Sequence, residues 1–207
     1  MEKLDLTKQY KAYYTAGNEP QLLEIPPAQF LSISGKGDPS EKPYLEKIQA
    51  LYGTAYTLKF MNKALGKDFV VAKLEGLWKF DTEKYPGLTM EEAPLKVPRS
   101  EWNYRMLIRM PDYVTAGQLE KAIQQIIAKK QIQLANDVEL HQMQEGKVVQ
   151  MLHIGPFANE PETLQKMMEF IQEKNLQKNG DHHEIYLSDF NKTAPEKLRT
   201  ILREPVK

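Results

Sequence analysis

The chain has 207 residues, 41% hydrophobic and 27% charged, the balance of an ordinary folded protein, which excludes disorder and low complexity. Lys plus Arg and Asp plus Glu each number 28, so no basic field gathers nucleic-acid phosphates, and no helix-turn-helix, basic-aromatic or zinc-ligand pattern compensates. Cys is absent, removing disulfides, thiolate nucleophiles and Cys-ligated metals, and with no signal-peptide core and no run of about 18 apolar residues the expected location is cytoplasmic.

Residues 1–27 read as a polar N-terminal arm with scattered aromatics, closed by Ile25-Pro26-Pro27, since proline pushes the preceding residue toward extended geometry. Phe30 to Ser34 alternates with period two and predicts the first strand, broken by Gly35-Lys36-Gly37-Asp38-Pro39. From Pro43 to about Leu65, Leu45, Ile48, Leu51, Tyr52, Ala55 and Leu58 recur at helical spacing and predict a long helix that ends at Gly66. Tyr52 and Tyr56 stand four apart on it, as a packed pair rather than a site.

Phe69 to Phe80 predicts a second strand, with Trp78 on one face and Glu75 on the other. Residues 81–101, with three prolines and several charges, predict a long loop suited to act as a lid. Trp102 to Met110 predicts a third strand, with Trp102, Tyr104, Met106 and Ile108 on one face. Thr115 is an expected N-cap for a connector helix at about 115–130. Val138 to Met143 and Lys147 to Ile154, around Gln144-Glu145-Gly146, predict a hairpin. Glu162 to Gln177 is helical by spacing, and strands follow at His182 to Asp189 and near Leu198 to Val206.

The second half therefore repeats the strand-helix-strand-strand order of the first. Glu41 to Ile48 sits beside Glu160 to Met167, each after a strand ending in Ile and then Gly. The expectation is an α+β fold built from two βαββ half-repeats, at about 28–110 and 138–206, in pseudo-twofold arrangement. They form one domain over 28–207, with a mainly antiparallel sheet, helices on one side and a ligand cleft on the other.

The segments LEGLWKF at 74–80, WNYRMLIRMPD at 102–112 and HHEIYLSDFNKTAPEKLRTILREPV at 182–206 resemble the stand-alone branch of the GyrI-like family. That family includes a DNA gyrase inhibitor and the effector-binding domains of multidrug-sensing regulators. The resemblance implies two side-by-side βαββ units around a ligand cleft. It also implies that Glu184, in Glu-Ile-Tyr at 184–186, corresponds to the buried glutamate that meets lipophilic cations in drug-sensing relatives. Some stand-alone relatives open the strained ring of cyclopropanoid DNA-alkylating toxins by hydrolysis, and the lack of a fused DNA-binding segment fits that branch.

A carboxylate buried in a strand must be paired or have its pKa raised, which makes Glu184 the expected general base or cation trap. Tyr104 or Tyr186 is expected to orient water or polarise the substrate. Trp78, Trp102 and Tyr186 are expected to stack a flat ligand in a cleft on the sheet surface away from the helices, with Glu75 as a weaker second carboxylate. His182-His183 invites a metal reading, but adjacent strand residues point to opposite faces, so no metal and no cofactor is expected. His153 is expected to be structural. Three readings stay open: a hydrolase of cyclopropanoid-type toxins, a module that binds or sequesters a lipophilic, aromatic or cationic small molecule, and a gyrase-interacting protein. No direct nucleic-acid or membrane partner is expected, and no protein partner is indicated.

Overall fold

The computed structural model describes residues 3–89 and 91–207; Met1 and Glu2 of the arm and Met90 of the 81–101 loop lie outside them. In chain order the elements are α1 (Leu6–Gln9), β1 (Gln21–Ile25), β2 (Ala28–Lys36), α2 (Lys42–Ala64), β3 (Leu74–Lys79), α3 (Ala93–Lys96), β4 (Asn103–Arg109), α4 (Ala116–Lys130), β5 (Glu139–Met143), β6 (Gly146–Ile154), α5 (Glu160–Glu173), β7 (His182–Tyr186) and β8 (Arg199–Pro205). The strands form one antiparallel sheet in the order β1-β6-β8-β7-β3-β4-β2-β5.

That order is the pseudo-twofold expected from the repeat. From the central pair outward, one half reads β3-β4-β2 and the other β7-β8-β6, each being the second, third and first strand of its βαββ unit. Thr115 caps α4 within a full capping box, its hydroxyl accepting from the Gln118 amide while the Gln118 side chain accepts from the Thr115 amide. The second-half helix begins two residues earlier than its spacing suggested, at Glu160, with Pro161 in its first turn.

The expected hairpin does not form. β5 pairs with β2 and β6 pairs with β1, so the strand preceding each half-repeat crosses to the other half. Gln144 and Glu145 instead carry the chain from β5 across to β6, which opens at the left-handed Gly146 (φ 69°). Pro26-Pro27 makes the equivalent step from β1 to β2, and Ile25 opposes Gly146 while Ala28 opposes Met143. Two intervening residues reach at most about 11 Å, so the two edges of the sheet must curl together at this corner.

Curling divides the core by face. Outside, α2 and α4 cover Leu31, Ile33, Met106 and Ile108, and α5 lays Leu164, Met167 and Ile171 on Val149, Met151 and Leu202. Inside, Phe30, Leu107, Val148, Ile185 and Ile201 form one cluster, closed by Tyr13 and Tyr14 of the N-terminal arm. Leu45, expected on the buried stripe of α2, is 50% exposed, and the neighbouring Tyr44 is buried instead. The loop at 81–101 is not structureless: it holds α3, and Ala93 and Val97 join the core around Phe80 and Trp102.

The inner face also carries ions. Arg203, fully buried, donates from Nη1 to Glu145 Oε2 (3.0 Å), from Nε and Nη2 to Gln150 Oε1 (3.1 and 2.8 Å), and from Nη2 to the Tyr13 carbonyl (2.9 Å). Its guanidinium also stacks on the Tyr13 ring at 4.4 Å. Burial disfavours the Glu145 carboxylate, yet the His183 and Arg203 cations outweigh that and draw its pKa down to about 2. Removing one member of such a network strands the others without solvent. Arg203→Met is expected to destabilise the fold by about 3–5 kcal/mol in urea denaturation. A loss under about 1 kcal/mol would show that the ion network does not hold the arm and the β5–β6 crossing in place.

Candidate functional site

Because side chains alternate along a strand, the central pair β3 and β7 sends its polar residues to both faces. Opposed across the pair are Gly76 and Glu184, Leu77 and His183, and Trp78 and His182. Glu75 and His183 point into the curled interior, while His182, Glu184, Tyr186, Gly76 and Trp78 point toward the helices.

Glu75 is fully buried in the interior. It accepts from the Tyr13 hydroxyl (2.5 Å), the Tyr14 hydroxyl (3.2 Å) and His183 Nε2 (3.0 Å), while His183 Nδ1 lies 2.8 Å from Glu145. Burial opposes the His183 imidazolium, but Glu145 and Glu75 prevail and raise its pKa. Every partner of this cluster is protein, and the arm fills the space beside it. Glu75, expected as a second cleft carboxylate, is therefore on the opposite face from Glu184 and belongs to the structural network.

The helix side carries the other group. Glu184, with 13% of its side chain exposed, lies 3.4 Å from His182 Nε2, whose Nδ1 is 2.6 Å from Glu204, and Glu204 is in turn 3.0 Å from Lys178 Nζ. Burial works against protonating His182, yet Glu204 and Glu184 together raise its pKa to about 10, so it is an imidazolium at neutral pH. Tyr186, two residues beyond Glu184, is held well above the ordinary phenol range by burial and by that carboxylate. A further member comes from the first position of α5. Glu160 is 8% exposed, its Oε1 is buried with no hydrogen-bond partner, and burial followed by the charge of Glu184 raises its pKa well above the usual carboxyl value.

Aromatic rings wall this group. The Trp78 indole donates to the Tyr186 hydroxyl (3.0 Å) across Gly76, the Tyr44 ring of α2 stacks on Trp78 (6.3 Å) and meets Tyr104 edge-on (5.0 Å), and Phe157 closes edge-on over Tyr186 (6.0 Å). The absence of a side chain at Gly76 matters, because a Cβ there would lie 2.8 Å from Trp78 Nε1 and 3.1 Å from the Tyr186 hydroxyl. Gly35 serves Tyr104 in the same way, leaving room for the ring directly over its backbone.

These positions correct the expected side of the sheet. Trp78, Tyr104 and Tyr186 share a surface with Glu184, but it is the helix-covered one; on the other face the arm covers Glu75, and a small cavity lined by Ser34, Leu77 and Arg105 lies farther along the strands. Tyr104 stands on β4, two strand spacings or about 10 Å from the Glu184 strand, so Tyr186 rather than Tyr104 adjoins the carboxylate. Trp102 lies at the margin, packed on Phe80 (5.6 Å), its indole donating to the Val97 carbonyl (3.4 Å). His153 is structural: its Nδ1 is 2.9 Å from Thr163 Oγ1 and its Nε2 is 3.2 Å from the Pro156 carbonyl. Sequence reasoning missed Tyr44, Phe157 and Glu160. The signal for Glu160 was a carboxylate directly before Pro161 at a helix start, a position that points back toward the preceding strand.

The model of the GyrI-like small molecule binding domain matches residues 18–207. The fold is similar to an uncharacterized conserved protein from Listeria innocua, at 36% identity and a TM-score of 0.88, covering 99% of this chain and 100% of that one. It is similar also to a hydrolase from Listeria innocua, at 35% identity and a TM-score of 0.85, covering 100% of both chains. The C-terminal domain of EcmrR shares the fold at 11% identity and a TM-score of 0.55, covering 91% of this chain and 97% of that one. None of the curated proteins matches.

Two measurements test this geometry. Gly76→Ala is expected to break the Trp78–Tyr186 hydrogen bond, destabilise the fold by about 1–3 kcal/mol and shift the Trp78 emission in a Trp102→Phe background. Unchanged emission would mean that the rings do not depend on the glycine. Since the pKa of His182 is raised to about 10 from its ordinary 6.5, its ion pairs contribute fully below about pH 6.5 and are lost as pH climbs toward 10. Denaturation from pH 6 to 10 should show falling stability, and His182→Gln should flatten that fall; equal slopes would exclude the imidazolium.

Proposed function

The chain belongs to the GyrI-like small molecule binding domain family, and on that premise we propose that its ligand seats at Glu184, between α2 and the start of α5, and is hydrolysed there. The observation that carries the reading is a largely buried carboxylate flanked by Trp78, Tyr186 and Tyr44, with the hydrogen-bonded Trp78–Tyr186 pair lying over Gly76. Such a surface takes a flat lipophilic molecule by stacking and meets its electrophilic or cationic centre with a carboxylate. Phe157, 40% exposed on the turn before α5, is the ring that moves to admit it.

The reaction proposed is water addition to a strained ring of the cyclopropanoid type. Glu184 takes a proton from water, the water oxygen bonds to the ring carbon, and the breaking carbon–carbon bond sends its electron pair into the conjugated system, whose oxygen takes up a proton. The product is the ligand plus one water. In this reading Tyr186, beside Glu184, orients that water, and Tyr104 further along the same wall contacts the ligand body. The likeness to a hydrolase at 35% identity over the whole chain supports a hydrolytic reading.

Incubation with a duocarmycin-type toxin followed by mass spectrometry is expected to show a gain of one water. Unchanged but bound toxin would leave a binding and sequestering protein. Glu184→Gln keeps the shape of the side chain but removes the base, and is expected to lower the rate by about 10²- to 10⁴-fold, roughly 3–5 kcal/mol of transition-state stabilisation, with the fold intact by circular dichroism. Near-wild-type turnover in that variant would remove Glu184 from the mechanism.

A further inference from the structure

Resting on the reading that the ligand seats at Glu184, we propose that Glu160 is a proton-exchange group: the site takes a lipophilic monocation by releasing the Glu160 proton, and takes a neutral ligand of the same shape without releasing one. Glu160 is the first residue of α5, 8% exposed, with Oε1 buried and unpartnered. The groups whose charge reaches it come from β7, Glu184 and His182, with Tyr186 nearby and Phe157, three residues before Glu160, edge-on to the Tyr186 ring. Behind them, Glu204 of β8 is hydrogen-bonded to His182 and lies 3.0 Å from Lys178 Nζ.

The charges around it balance without Glu160. Glu184 and Glu204 each lie against the His182 imidazolium, and Glu204 lies against Lys178 as well, so these two carboxyls already have basic partners. A neutral Glu160 therefore leaves the resting cluster with no carboxylate lacking a basic partner, which suits a site walled by rings. An arriving monocation adds one positive charge in a low-dielectric place, where an uncompensated ion is costly. Ionising Glu160 restores the balance at the point where an oxygen has no protein donor to satisfy it. Burial and the charge of Glu184 hold the Glu160 carboxyl well above its usual value in the free protein, and a cation beside it works against both. The N-terminal turn of α5 further favours the ionised form, because its peptide dipoles present their positive end there.

The exchange has a definite pH signature. While Glu160 is protonated in the free protein and ionised in the complex, affinity for a monocation rises about tenfold per pH unit, and it levels off once free Glu160 is ionised too. A neutral ligand shows no such rise.

The test is calorimetric titration of the whole protein with tetraphenylphosphonium, a permanent cation with no proton of its own, in phosphate and in Tris, with triphenylphosphine oxide as the neutral comparison. The wild type is expected to release close to one proton per tetraphenylphosphonium bound and none with the oxide. Glu160→Gln mimics the protonated carboxyl and should fold, bind the cation at least tenfold more weakly, release no proton and lose the pH dependence. Cation binding without proton release, proton release that survives Glu160→Gln, or no cation binding from pH 5 to 9 would each overturn the proposal. Glu184→Gln separates it from the reading beneath: if that variant binds both probes as the wild type does, the ligand does not seat at Glu184 at all. If binding falls with Glu184→Gln while the wild type exchanges no proton, the site stands and the role of Glu160 does not.

Discussion

The antiparallel pairing of β3 with β7 is the constraint on which the rest depends. It joins the two half-repeats, and alternation along these two strands divides their ionisable side chains between two environments of opposite use. His183 and Glu75 go inward, His182 and Glu184 go outward. A one-residue slip of β7 against β3 would turn Glu184 into the interior and His183 toward the helices, so both the stability and the chemistry of the protein hang on this pairing.

The two ion clusters differ in how fully their partners satisfy them. Inside, the Glu75, His183, Glu145 and Arg203 charges are matched by one another, by Gln150 and by two tyrosine hydroxyls from the arm, so nothing is left to meet a ligand. The arm is for that reason a part of the core: Tyr10 and Tyr13 stack on the Arg109 guanidinium at 3.7 and 4.9 Å, and Tyr13 also covers Arg203. Outside, the His182–Glu184–Glu160 group keeps an unmatched carboxyl oxygen and a partly exposed carboxylate at the foot of an aromatic wall. An incomplete polar group beside rings that bond mainly to one another is the arrangement expected of a site, since a ligand gains what the protein leaves unsatisfied.

Glycine has a constructive part in that wall. Gly76 and Gly35 are strand glycines, which ordinarily weaken a sheet, yet each sits under an aromatic ring that a Cβ would displace. The rings thus lie close to the backbone. The pseudo-twofold supplies the remaining walls: α2 brings Tyr44 from one half, and the start of α5 brings Phe157 and Glu160 from the other.

By itself the sequence determined the repeated strand-helix-strand-strand order, the α+β class, the extents of α2, α4 and α5 to within a few residues, and the presence of Glu184 and Tyr186 on one strand face. All of these rest on local periodicity, capping and alternation, which act over a few residues. Tertiary structure decided which face of the sheet is closed, because that depends on Pro26-Pro27 and Gln144-Glu145 stepping between the two sheet edges, a pairing no local pattern encodes. It moved Glu75 into the core, since the tyrosines that bind it lie more than sixty residues away. It also put Glu160, on the first turn of α5, within reach of the Glu184 charge, with Phe157 just before it against Tyr186. Long-range pairing in a curled sheet thus settled the site, where short-range pattern had settled the elements.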